Sequence, residues 1–142
     1  MTTAQHTSKT IHQTFGVTTF DQEFPDLETP VVVGNQRQGD VFLLKVTADR
    51  SKGALSVGPK GVVVVRAETS ASNTHTLYSL AGDCLWLSNP RDDLVEGWLT
   101  VPPGGEAFLL HTSEHSALAV GEGTYEIRRQ REYAGEWRQV AD

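Results

Sequence analysis

One cysteine in 142 residues, Cys84, rules out an internal disulfide. With no Cys-x-x-Cys pair either, a secreted disulfide scaffold and a thiolate zinc site are both excluded, and a reducing compartment is the simpler expectation. Cys84 stands between Asp83 and Leu85 in an apolar run, where a small core residue is the ordinary reading and a nucleophile the alternative. No apolar run reaches the length of a membrane span, and the start, Met1-Thr2-Thr3-Ala4-Gln5-His6, lacks the hydrophobic stretch of a signal peptide. A soluble, cytoplasmic protein with no membrane partner is therefore expected. Positive charge is short as well: 12 Lys and Arg against 18 Asp and Glu give −6, which argues against binding duplex nucleic acid through its phosphates. No phosphate-cradling glycine loop, nucleophile elbow or metalloprotease motif is present, so no residue is assigned a catalytic or cofactor-binding role.

What the chain does contain is a series of short apolar runs separated by turn residues. Val31-Val32-Val33 is stopped by Gly34-Asn35, and the turn Arg37-Gln38-Gly39-Asp40 feeds Val41 to Val46, too β-branched and continuous for a surface helix. Gly61 releases a strand that ends near Glu68, and its four valines, Val62 to Val65, predict burial on both faces. His75 to Leu80, the turn Gly82-Asp83 and Cys84 to Leu87 read as a hairpin. Trp98 to Val101 is a strand ended by Pro102-Pro103-Gly104-Gly105; Glu106 to His111 and Ser116 to Val120 form another hairpin, and Thr124 to Arg128 alternates as a half-buried strand does. The pattern predicts an all-β fold, a single-domain sandwich or barrel of about seven to nine short antiparallel strands. Its parts are an N-terminal arm over residues 1–30, a β-domain over 31–133 and a tail over 134–142, which is expected to make a helical turn or to fray. The arm shows no sustained period, but Phe15, Phe20 and Phe24 suit docking on its own domain or on a neighbouring subunit, so the expected partner is a second copy or another protein.

The sharpest chemical signal is His111-Thr112-Ser113-Glu114-His115. If Thr112 to Glu114 form a three-residue hairpin loop, His111 and His115 face each other across its base, with Cβ atoms roughly 4.5–5.5 Å apart. With His75 at the start of another strand, three imidazoles and the Glu114 carboxylate would make an open site for zinc, nickel or ferrous iron. The alternative is that these histidines are surface or hydrogen-bonded residues at hairpin tips. His6 and His12 fall in the polar arm and read as solvated. Arg128, Arg129 and Arg131 invite a phosphate or RNA reading, but Glu126, Glu132 and Glu136 interleave with them and favour an ion-paired face.

Arg37 to Val41, the region around His75, His111 to His115 and Gly123 to Tyr133 together resemble a family of small bacterial and phage-encoded proteins. These carry an Arg-Gln-Gly-Asp-Val segment, a Gly-His-x-His segment, a His-x-x-x-His loop and a closing Gly-x-Tyr-x-x-x-Arg-Gln-Arg-Glu-Tyr string. The likeness is most specific from Leu109 to Asp142. Where the family has Gly-His-x-His this chain reads Ser72-Asn73-Thr74-His75 and keeps only the second histidine. A weaker similarity is to single-domain cupins, β-barrels that hold a metal on histidines. It rests on His75 to Asp83 followed by Val101 to Gly104 and His111, without the full cupin histidine and glutamate pattern. The docking-type arm, the missing second histidine and the absence of a convincing acid-base pair lead to the expectation of a non-enzymatic, self-associating or partner-binding β-domain of phage or mobile-element origin, its histidine hairpin structural or holding a metal. The alternative is a cupin-like metalloenzyme with His75, His111 and His115 as ligands and Glu68 or Glu114 as acid-base group.

Overall fold

A computed structural model describes residues 6–17, 24–65, 74–81, 83–91, 94–111, 115–133 and 137–139. Among these residues one helix, α1 (Ser8–Phe15), precedes thirteen strands. They are β1 (Val31–Val32), β2 (Gln36–Gln38), β3 (Val41–Val46), β4 (Leu55–Ser56), β5 (Val62–Val65), β6 (His75–Ala81), β7 (Leu85–Ser88), β8 (Val95–Val101), β9 (Glu106–His111), β10 (Leu118–Val120), β11 (Gly123–Arg129), β12 (Arg131–Tyr133) and β13 (Trp137–Gln139). Seven of them have four residues or more, in line with the sequence expectation; β1, β2, β4 and β10 are short additions at or near sheet edges.

The strands form two open sheets, in the orders β1-β10-β9-β6-β5 and β2-β3-β11-β8-β7-β4, with β12 and β13 as a separate pair. The architecture is a β-sandwich without barrel closure. Pairing is antiparallel except between β1 and β10, which run parallel. Alternation builds the core: Val41 and Leu43 of β3, Leu99 and Val101 of β8, and Tyr125 and Ile127 of β11 face Leu77 of β6 and Ala107 and Leu109 of β9 from the opposite sheet. Cys84 is fully buried in this core, and burial holds its thiol above the ordinary cysteine range.

Strand β9 is buried on both faces, because Phe108 and Leu110 point out of the sandwich into a second cluster closed by the arm. There α1 seats Ile11, and Phe15 and Val17 pack on Tyr78, Phe108, Leu110, Ala117 and Ala119. The helix starts where Thr7 accepts from the Thr10 amide and the Thr10 side chain answers the Thr7 amide, and it ends at Gly16 in the left-handed region. Backbone bonds from Ser8 to Leu27, Lys9 to Pro25 and Thr29 to His6 fold the arm back on itself. Of the two docking places expected for the arm, the described residues put it on its own domain.

Four expectations need correction. The valines of β5 are not buried on both faces: β5 is a sheet edge and Val63 is 40 % exposed. Residues 75–87 do not make a hairpin, since β6 and β7 belong to different sheets and the chain between them arches across the core. In the tail, Trp137 lies on a strand paired with Tyr133 rather than on a helical turn. The fourth concerns the histidine hairpin.

Candidate functional site

In the β9–β10 hairpin Leu118 pairs with Leu109, so the connection runs from residue 112 to 117 instead of three residues, and His115 lies within it. His111 is therefore not opposed to His115. Its cross-strand partner is His75, on the other side of β9. The strand period explains where these two rings point. His75 shares a face with Leu77, and His111 with Leu109 and Ala107, all core residues, so both imidazoles enter the sandwich interior at one end. Each is completely buried.

The three histidines nonetheless come together. Ring centroids lie 4.6 Å apart for His75 and His111, 4.6 Å for His111 and His115, and 6.2 Å for His75 and His115. The His75 and His115 planes are nearly parallel, at 15°, with His111 turned by about 60° to both. His115 reaches toward the β2–β3 turn. Its Nε2 edge occupies the space a Cβ on Gly39 would fill, and Gly39 has φ of 60°, so this turn needs glycine twice over.

Gln38 joins the cluster to the opposite sheet. It is buried, and its Nε2 donates to the Leu109 carbonyl at 2.9 Å and the Ser116 carbonyl at 2.8 Å. Two carbonyl acceptors fix which end of the amide is nitrogen. Its Oε1 must then accept, and the His75 Nδ1 at 2.8 Å must carry the proton. In neutral His75 the lone pair is thereby placed on Nε2. A carbonyl accepting from the far ring nitrogen is how protein metal sites orient a ligating imidazole. Here, however, among the described residues no group of three or more His, Cys, Asp and Glu is placed to hold a metal ion.

Glu68 and Glu114 lie outside the described residues. His6 and His12 belong to the arm: His6 Nε2 is 3.1 Å from the Glu106 carboxylate with its ring edge-on to Phe108, and His12 donates to the Val17 carbonyl at 3.0 Å. Both have tertiary or local partners, against the solvated reading. Arg128 pairs with Glu126 at 3.5 Å, as expected, and Arg129 with Glu96; the side chains of Arg131 and Glu132, and Glu136, lie outside what is described. Sequence reasoning missed Gln38. Its one signal is position, directly before the Gly39-Asp40 turn at the end of a strand with an outward Arg37.

Residues 37–130 match the model of a family described as "Domain of unknown function (DUF8820)", and the chain belongs to that family. The matched segment contains Gln38, Gly39, His75, His111 and His115 and leaves α1 outside it. No curated protein and no solved structure matches the chain. No helix among the described residues is long and apolar enough to cross a membrane.

Proposed function

We propose that this member of the family is a non-enzymatic β-sandwich module that self-associates through its N-terminal arm, with the histidine cluster serving as a structural tie at one end. The observation that carries the reading is the seat of α1. Ile11 and Phe15, four apart on one helix face, rest on Phe108, Leu110 and Tyr78, outward-facing residues of a sheet inside the family segment, while the arm lies outside that segment. An eight-residue helix is marginal alone and takes its stability from the surface it covers. The same seat in a second copy offers the same contacts, so exchange of arms costs little beyond association entropy and is governed by concentration. The resemblance of Leu109 to Asp142 to phage-encoded proteins supports a phage or mobile-element setting.

The test is a cysteine pair. Phe15 and Tyr78 have ring centroids 4.9 Å apart. In a Cys84→Ala background, Phe15→Cys with Tyr78→Cys should oxidise to covalent dimers whose share rises with protein concentration. Light scattering should show the same trend without cross-linking. A monomer at every concentration, with only internal disulfides, overturns the reading.

A second reading, a cupin-like metalloenzyme with a divalent metal on His75, His111 and His115, is favoured by the ring proximity and by the tautomer that Gln38 sets. Elemental analysis of protein purified without an affinity tag separates the two. A full equivalent of zinc, nickel or iron supports the metalloenzyme. Less than about a tenth of an equivalent, with no uptake on dialysis, removes it.

A further inference from the structure

The outer face of the six-stranded sheet carries no helix among the described residues, and at its β7–β8 end it holds a cleft of about 480 Å³. Leu87 and Trp98 are cross-strand partners that both point outward from the sheet and form its floor, with Val95 and Asn89 along the walls. The Trp98 indole N–H donates to the Glu126 carboxylate at 3.3 Å, which fixes the ring in its plane. Arg50 lies over the indole, its guanidinium carbon 4.2 Å from the ring centroid, and Arg91 stands on the rim.

The electrostatics of this cleft differ from those of the neighbouring strand. Arg128 and Arg129 are each matched by a glutamate, whereas among the described residues no carboxylate pairs with Arg50 or Arg91. Two exposed guanidinium groups flank an anchored aromatic ring over an apolar floor, with the Glu126 carboxylate, itself paired with Arg128, at the indole nitrogen. Arginine stacks on aromatic faces and recognises phosphate in bidentate fashion, so Arg50 can leave the indole to a planar ring and turn to the anion that ring carries. The volume lies within the range of small-molecule sites, roughly 300–1,000 Å³.

We propose that this cleft binds a nucleoside phosphate, the base stacking on Trp98 and the phosphate held by Arg50 and Arg91. The site is separate from the histidine cluster and from the α1 seat and does not depend on either reading above.

Isothermal titration of the full chain with AMP, adenosine, inorganic phosphate and a five-residue single-stranded oligonucleotide tests it. AMP should bind at least tenfold more tightly than adenosine or phosphate. Arg50→Ala and Arg91→Ala, both at exposed positions, should each weaken AMP about tenfold, and Trp98→Leu should remove the preference for AMP over phosphate. Tighter binding of the oligonucleotide would identify nucleic-acid strands as the source of the ligand, and tighter binding of AMP a free nucleotide; either upholds the site. Phosphate binding as well as AMP would overturn the aromatic subsite. No heat with AMP at 5 mM on folded protein, or unchanged affinity in both arginine variants, would overturn the proposal.

Discussion

Replacing Gln38 by leucine keeps its volume and removes its hydrogen bonding, which isolates the polar role from packing. Three groups lose a hydrogen bond: the His75 Nδ1–H, the Leu109 carbonyl and the Ser116 carbonyl. Ser116 is exposed, so water can replace the amide there. His75 and Leu109 are completely buried, so water does not replace the amide there, and each lost bond costs about 1–3 kcal/mol. Two such groups give an expected loss of about 4 kcal/mol, a large share of the roughly 5–15 kcal/mol of a typical domain. With a urea dependence of about 2 kcal/mol/M, the unfolding midpoint should fall by about 2 M. Gln36 supplies the control. Two residues away, its side chain donates to the Ala119 carbonyl at 3.0 Å, so Gln36→Leu should cost only about 1 kcal/mol. Nitrogen NMR gives an independent reading: His75 should be the Nδ1–H tautomer in the native chain and lose that preference in the Gln38→Leu variant. Equal effects of the two substitutions, or a Gln38→Leu loss below about 1 kcal/mol, would refute the argument.

Gly39→Ala should cost about 2 kcal/mol or more, because the left-handed backbone and the His115 ring both oppose a Cβ, and His115→Ala should recover part of that cost in a double-mutant cycle read by urea unfolding. Ile11→Ala, at a site 2 % exposed, should remove about 2–4 kcal/mol from arm docking and appear as faster hydrogen exchange over residues 8–15 with little change in the β9 amides. Burial raises the pKa of the Cys84 thiol and of the Tyr78 and Tyr125 phenols above ordinary values of 9.0 and 10.0. Each group is held neutral by the fold and ionises more readily when unfolded. Their stabilisation is thus complete below the unfolded values and is lost as pH rises through the folded ones. The urea midpoint should stay level from about pH 7 to 8 and fall above about 9.5, and Tyr125→Phe should flatten the fall.

Much of the fold was legible because it rests on local signals. Val41 to Val46 follows the Gly39-Asp40 turn and Val62 follows Gly61, and both strands begin where those signals stand; the expected end of the second, near Glu68, lies outside the described residues. What failed depended on information that period does not carry. Alternation says that Leu77 and Trp86 face a core, but not that they face it from different sheets, so an arch across the sandwich looked like a hairpin. The arm hid its helix because only Ile11 and Phe15 mark an apolar face, and its caps, Thr7 and Gly16, are single residues in a Thr-rich stretch. For the site, the histidines stood out by type and do meet, but through a different geometry. The loop is longer than assumed, and the pairing that buries two of them runs from β9 to β6 across 36 residues. Gln38 was illegible for a physical reason: a buried amide is specified by the carbonyls and ring that surround it, and those partners come from three distant segments.

A tie of this kind is a costly way to fill the end of a core, since leucine at positions 38 and 75 would occupy similar space with no polar group to satisfy. Its use is better explained by alignment, because apolar side chains alone allow the two sheets to slide, whereas Gln38 meets Leu109 and His75 in one register only. The double variant Gln38→Leu/His75→Leu tests this. Removing the ring removes the donor that loses its bond in Gln38→Leu, while the bond to the Leu109 carbonyl stays lost, so about half of the single-variant loss should return. The coupling energy should be about 1–3 kcal/mol. If alignment is what the tie provides, the double variant should also show broadened methyl signals from Leu77 and Leu109, whose packing the tie sets. Sharp native-like methyl spectra at recovered stability would mean that packing alone fixes the register, and would leave ligand chemistry as the reason for burying imidazoles there.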